Sequence, residues 1–165
     1  MKRIIVLVGP PGVGKSTLVK LAKEKGYYAV DIEEIHNEAK LLLSHLQGEE
    51  YKKVLSEEMD KRIEQLVNEA PEGISIFGAG GYGSHFPIEK IEKVLLLPPK
   101  EIAESRFRER DKNDPVKKAQ NHDFERIYEG FVHLWQSGER KYHRVIQTTG
   151  TPEETLKELV KPSLD

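Results

Sequence analysis

Residues Gly9 to Thr17 read GPPGVGKST and follow directly on KRIIVLV. Three glycines, two prolines and a lysine within nine residues break any regular helix or strand. A plain turn needs one glycine, not this spacing. The run before it, Ile4 to Val8, is continuous and β-branched, as in a central strand covered on both faces. After it, Ser16 to Lys25 has helical spacing, with Leu18, Leu21 and Ala22 on one side and Gly26 as the stop. In that setting Gly9, Gly14, Lys15 and Ser16 fit G-x-x-x-x-G-K-[ST], the Walker A phosphate loop.

The chemistry explains the residue types. Glycines let successive N–H groups converge on one anion, and the helix that follows adds its own unpaired N–H groups and positive dipole end. Gly9, Gly12, Val13, Gly14, Lys15, Ser16 and Thr17 are therefore the expected nucleotide-binding set. Lys15 is the expected cation at the β and γ phosphates, and Ser16 the expected hydroxyl ligand of Mg²⁺. The alternative is an ordinary strand-to-helix turn with a chance lysine.

Outward from the loop, strands alternate with helical stretches. Tyr27–Val30 reads as a strand ending at Asp31, Ile74–Phe77 and Val94–Leu97 as two more, and RVIQT as the last. Residues 35–70 carry helical stripes broken at Gly48, Pro99 opens a helix bearing three arginines, and Phe124, Ile127, Tyr128, Phe131 and Trp135 mark an amphipathic helix assigned to the core. The segment RDKNDPVKKAQ has no apolar stripe and is expected to be mobile. The pattern predicts a three-layer α/β/α fold on a parallel five-stranded sheet, in one domain over 1–165. Ligands in such folds bind at the carboxyl ends of the strands, where the Gly9 loop, Asp31 and the Gly78 loop all fall.

Composition narrows the functions. With 26 Lys+Arg, 28 Asp+Glu and a net charge of −2, a general nucleic-acid binder is not expected. The absence of cysteine excludes disulfides and thiol catalysis. The apolar run at the start is too short to cross a membrane, and a cytoplasmic protein, monomeric or weakly dimeric, is expected.

Two carboxylates follow the second strand. Asp31 either caps the next helix or faces the γ-phosphate as a metal ligand and proton acceptor. Glu33 is either a first-turn acid or an acceptor contact. Arg106 and Arg110 share one helix face, with Arg108 pointing elsewhere; they are either solvated or close over the phosphates. Lys112, Lys117 and Lys118 are expected to face solvent. GAGGYGSH suits close backbone approach to a ligand or a flexible turn. The histidines at 36, 45, 122, 133 and 143 show no metal-ligand spacing and are left as surface or partly packed residues.

At these residues the chain resembles the small phosphate-loop kinases, the group of shikimate kinases and nucleoside monophosphate kinases. YYAVDIEEI is similar to the shikimate-kinase segment ending in Asp-x-Asp, here Asp31 and Glu33. GEEYKK is similar to that family's Gly-Glu-x-x-Phe-Arg, with Lys52 in place of the arginine, and GAGG stands where the family has three glycines. ESRFRERDK resembles the start of the lid, and KYHRVIQTTGTPEETLKEL the last strand, adenine-side loop and closing helix. The resemblance implies ATP and Mg²⁺ as cofactors. It implies Lys15, Asp31, Arg106 and Arg110 as catalytic groups and Ser16 and Asp31 as metal ligands. It also implies Glu33, Gly80 and Gly81 on the acceptor, a helical acceptor-binding insertion over 35–70 and a lid over about 107–122. Lys52, Ala79 and the missing Arg-Pro of the lid depart from the shikimate pattern, so a nucleoside monophosphate ranks first as acceptor and a shikimate-like hydroxyl compound second. A nucleic-acid end kinase and an ATP-binding protein without transferase activity are the alternatives. A guanine-specific switch is not expected, because DKND is scrambled and follows no strand.

Overall fold

The structure, a computed structural model, describes residues 1–119, 123–147 and 149–162. Five parallel strands form one sheet in the order β2-β3-β1-β4-β5. They are β1 (Lys2–Val8), β2 (Tyr28–Asp31), β3 (Gly73–Gly78), β4 (Glu92–Leu96) and β5 (Arg144–Ile146). The helices are α1 (Lys15–Glu24), α2 (Ile32–Leu42), α3 (Gly48–Glu69), α4 (Lys100–Asn113), α5 (Pro115–Ala119), α6 (Phe124–Gln136) and α7 (Pro152–Val160). Successive strand residues point to opposite faces. Ile5, Val6 and Leu7 of β1 are each 0% exposed, so both faces of the sheet are covered and the layering is α/β/α.

The order of the strands positions the site. β1 lies between β3 and β4, so the chain leaves its carboxyl end where the connections diverge to opposite sides. The Gly9 loop fills that crevice. A Cβ on Gly9 would sit 2.5 Å from the Leu96 carbonyl oxygen, so the loop runs hard against the end of β4.

Local signals set the element ends. Asp31 closes β2 and at once caps α2, its Oδ1 accepting from the Glu33 N–H at 3.0 Å. The helical stretch therefore starts at Ile32, earlier than the stripe beginning at Ile35 indicates. Thr151 and Glu154 form a reciprocal capping box at α7, with Pro152 in the first turn. At the opposite end of the sheet Arg3 and Arg144 both bind Glu92 and the last carbonyls of α7, which fastens the closing helix down.

The charged segment after Arg110 departs from expectation. It is helical to Asn113 and again over Pro115–Ala119. Asp114 makes the second helix: its Oδ1 accepts from the N–H of Val116 and Lys117 at 3.0 and 3.2 Å, and Pro115 supplies a preset φ. Arg110 lies over the Phe107 ring at 4.6 Å and pairs with Asp111, which ties the end of α4 to its own helix. The last residues assigned to the lid, 120–122 with His122, lie outside the described residues.

Candidate active site

One cleft of about 930 Å³ opens at the carboxyl ends of the strands. The phosphate loop forms its floor: Gly9, Gly12, Val13, Gly14, Lys15, Ser16 and Thr17 all line it. Gly12 is constrained twice. Its φ is 80°, and a Cβ there would meet the Phe107 Cα at 2.8 Å, so α4 rests directly on the loop.

Lys15 opens α1 and folds back over the loop, its Nζ donating to the carbonyls of Gly9 at 2.7 Å and Pro10 at 2.8 Å. By surface area the residue is only partly buried, but its ammonium is enclosed. Desolvation there is the chief cause that lowers its pKa to about 8. Asp31 opposes the shift, Arg110 adds to it, Glu33 opposes and Lys117 adds. Three cations thus converge on the loop against two carboxylates, an arrangement that favours a polyanion.

Asp31 is the helix cap that one reading expects, and its second oxygen is turned to the loop. While Oδ1 caps α2, Oδ2 accepts from the Ser16 hydroxyl at 2.6 Å. Two hard oxygen donors stand together at the loop's mouth, one at the start of α1 and one at the end of β2. Gly78 faces Asp31 in the register of β3 on β2, so the strand beside β1 brings no carboxylate and Asp31 supplies it from one strand further.

Arg106 and Arg110 both line the cleft from α4, whereas Arg108 turns away and pairs with Glu104 at 2.6 Å. Glu33, Gly80 and Gly81 line its other half. All the residues expected to act are thus brought to one cavity or, in the case of Asp31, onto Ser16 in its wall.

Two placements differ from the sequence reading. Lys117 does not face solvent: it lines the cleft from α5, and its Nζ pairs with Glu33 Oε1. The Asp114-Pro115 helix start was the signal that could have revealed its fixed position. Second, the aromatic stripe of α6 is divided, for Phe124 and Tyr128 are buried while Ile127 and Phe131 line the cleft. Lys52 sits apart from the cleft, exposed and 2.7 Å from Glu49 of its own helix. Among the histidines, His36 lines the cleft against Tyr82, which no spacing in the sequence signals.

Residues 5–128 match the family described as the AAA domain. The chain belongs to that family. No curated protein sequence matches it. Solved structures similar to this AAA-family chain include small kinases. Shikimate kinase from Bacteroides thetaiotaomicron superposes with a TM-score of 0.63 at 17% identity, covering 95% of this chain and 96% of that one. Shikimate kinase from Aquifex aeolicus gives 0.54 at 21% identity over 94% and 92%. A gluconokinase from Sinorhizobium meliloti gives 0.55 at 14% identity over 96% and 89%. The AAA-family chain therefore has the fold of the small phosphate-loop kinases across its length. Among the described residues, no helix is long and apolar enough to cross a membrane.

Proposed function

We propose that the protein is an ATP-dependent kinase that phosphorylates a hydroxyl group of a small molecule. The observation that carries this is continuity: one cleft joins the phosphate loop to Glu33, Gly80 and Gly81. At about 930 Å³ it has room for a nucleotide and a second small molecule together.

The donor nucleotide would lie along the loop. The N–H groups of Gly12 to Ser16 and the end of α1 hold its phosphates, and Lys15 leaves the loop carbonyls for them. Ile127 and Phe131 offer an apolar wall for the base. Ser16 and Asp31 would hold Mg²⁺, and the donors fit. This ion keeps several waters and takes one or two protein oxygens beside the phosphates. Among the described residues no cluster of three or more His, Cys, Asp or Glu forms a separate metal cage. When bound, the ion neutralises charge on the β and γ phosphate oxygens.

In the transfer, the acceptor oxygen forms a bond to the γ-phosphorus while the bond from that phosphorus to the β–γ bridging oxygen breaks. ADP leaves with the electron pair, and the hydroxyl proton passes to Asp31. Arg106 and Arg110 stabilise the spread charge from α4, which with α5 serves as the lid. Helices α2 and α3 serve as the acceptor-side insertion. The shikimate kinases and gluconokinase of like fold are named for hydroxyl compounds, which supports such an acceptor above a nucleoside monophosphate.

The test is ADP release from Mg²⁺-ATP with and without candidate acceptors. Stimulation by an acceptor supports the reading. Tight ATP binding with no stimulation by any acceptor would leave only nucleotide binding.

A further inference from the structure

The acceptor half of the cleft has a wall that the kinase reading leaves unused. His36 of α2 and Tyr82, in the 3₁₀ turn Gly80–His85, both line it. Their ring centroids are 5.1 Å apart with planes inclined by 58°. Tyr82 also meets His85 at 5.1 Å, and His85 Nδ1 lies 2.5 Å from Asp60 Oδ1 on α3. Contacts from α2 and its own turn therefore hold Tyr82, and α3 braces His85 behind it.

Charge at this end is equally informative. Among the described residues, the lysines and arginines lining the cleft are Lys15, Arg106, Arg110 and Lys117. None belongs to α2, α3 or the 3₁₀ turn, and Lys117 is already paired with Glu33. Two cations of α3 are engaged elsewhere: Lys52 on Glu49, and Arg62 on Glu58 and Glu38. His36 does not fill the gap. Burial, helped by the charge of Lys40 and opposed by that of Glu33, holds its imidazole below the ordinary value, which disfavours the charged ring. Lys117 stands beside Glu33 and the two charges offset each other, so a carboxylate or phosphate carried by the acceptor would meet the Glu33 charge with no uncompensated cation to receive it. An aromatic ring would gain from contact with the two ring faces.

We propose that the acceptor is an uncharged alcohol carrying an aromatic ring, as a nucleoside does, and that it lies against His36 and Tyr82 with its reacting hydroxyl toward Asp31 and Glu33. This deepens the kinase reading and rests on it. The acceptor oxygen takes the phosphoryl group, ADP departs with the electron pair of the broken bond, and the proton goes to Asp31. The product is a phosphate monoester carrying the charge that this end does not hold, which favours its release.

The experiment compares matched pairs under Mg²⁺-ATP: nucleosides against their 5′-monophosphates, and neutral cyclic alcohols against the corresponding carboxylic acids. The neutral aromatic members should exceed the charged ones at least tenfold in kcat/KM. Tyr82→Ala should raise the acceptor KM at least fivefold more than the KM of ATP, and Tyr82→Phe, which keeps the ring face, should recover most of that loss. Charged members that equal or surpass their neutral partners would overturn the proposal and leave the kinase reading standing; this arm uses the unaltered protein and does not depend on a variant folding. An acceptor KM that ignores Tyr82→Ala in a folded protein would overturn it too. Bound ATP with no ADP release for any member would overturn the kinase reading and this inference together.

Discussion

Gly12 and Gly80 both take left-handed backbone angles, with φ of 80° and 54°, yet a Cβ on the first would strike Phe107 at 2.8 Å and one on the second would meet nothing within 4 Å. The two residues stand for the two ends of the cleft. At the donor end the backbone makes the site, and neighbouring strands and helices press on it from β4 and α4. At the end proposed for the acceptor the backbone is open, and side chains line the cleft: His36, Tyr82, and the offset pair Glu33 and Lys117. A phosphate cradle must have one shape whatever the donor carries, whereas an acceptor pocket can change with a few side chains on the same frame.

The comparison can be broken most severely at Lys15. Lys15→Ala removes the cation that the loop stores against its own carbonyls, and kcat should fall by about 100-fold or more, the scale for a lost transition-state donor. Steady-state ADP release with a circular-dichroism check of folding measures it.

Next comes the glycine pair itself. Gly12→Ala combines a left-handed angle with a backbone clash and should cost about 3 kcal/mol or more, whereas Gly80→Ala carries the angle alone and should cost about 1 kcal/mol. Urea unfolding of both variants gives the difference, and equal losses would erase the distinction between a compressed donor end and an open acceptor end.

The pH dependence sharpens the donor side. Free Lys15 titrates near 8, and a bound polyanion must raise that value, so nucleotide binding takes up a proton. Affinity should fall as pH rises through about 8, approaching tenfold per unit above it, and be flat in this term below about 7. Titration calorimetry at pH 8 in two buffers of different ionisation heat reads the proton directly, and proton release would contradict the sign.

The smallest effect belongs to the Lys117–Glu33 pair, whose side chains are 24% and 40% exposed. A double-mutant cycle with Lys117→Met and Glu33→Gln should give a coupling of about 0.2–1 kcal/mol in stability, screened by salt.

The same contrast explains what the sequence makes legible. Gly9, Gly14, Lys15 and Ser16 are readable because the phosphate cradle restricts residue type at fixed spacing, and the strand and helix around them are continuous in the chain. Asp31 is readable because a strand end and a helix start coincide there, and its two oxygens accept from Glu33 N–H and from the Ser16 hydroxyl. Lys117 is harder. Its place depends on the Asp114-Pro115 turn, a local signal that a count of apolar residues passes over, and its partner Glu33 is far away in sequence. Ile127 and Phe131 show the limit of periodicity: a stripe says which face is apolar, but a cleft wall and a core share that face. His36 carries no sequence signal and Tyr82 only its place in the glycine-rich GAGGYGSH loop, since the packing of α2 on the 3₁₀ turn is what brings their rings together.

Transfer of phosphate by the cleft, rather than mere retention of ATP, is what the mechanism requires. Its most direct test is to follow the labelled γ-phosphate of Mg²⁺-ATP in the presence of neutral hydroxyl acceptors, beside the Lys15→Ala variant. Label appearing in an acceptor, and lost in that variant, is the predicted result. Label that stays on ATP or goes only to inorganic phosphate, with the nucleotide demonstrably bound, would contradict it.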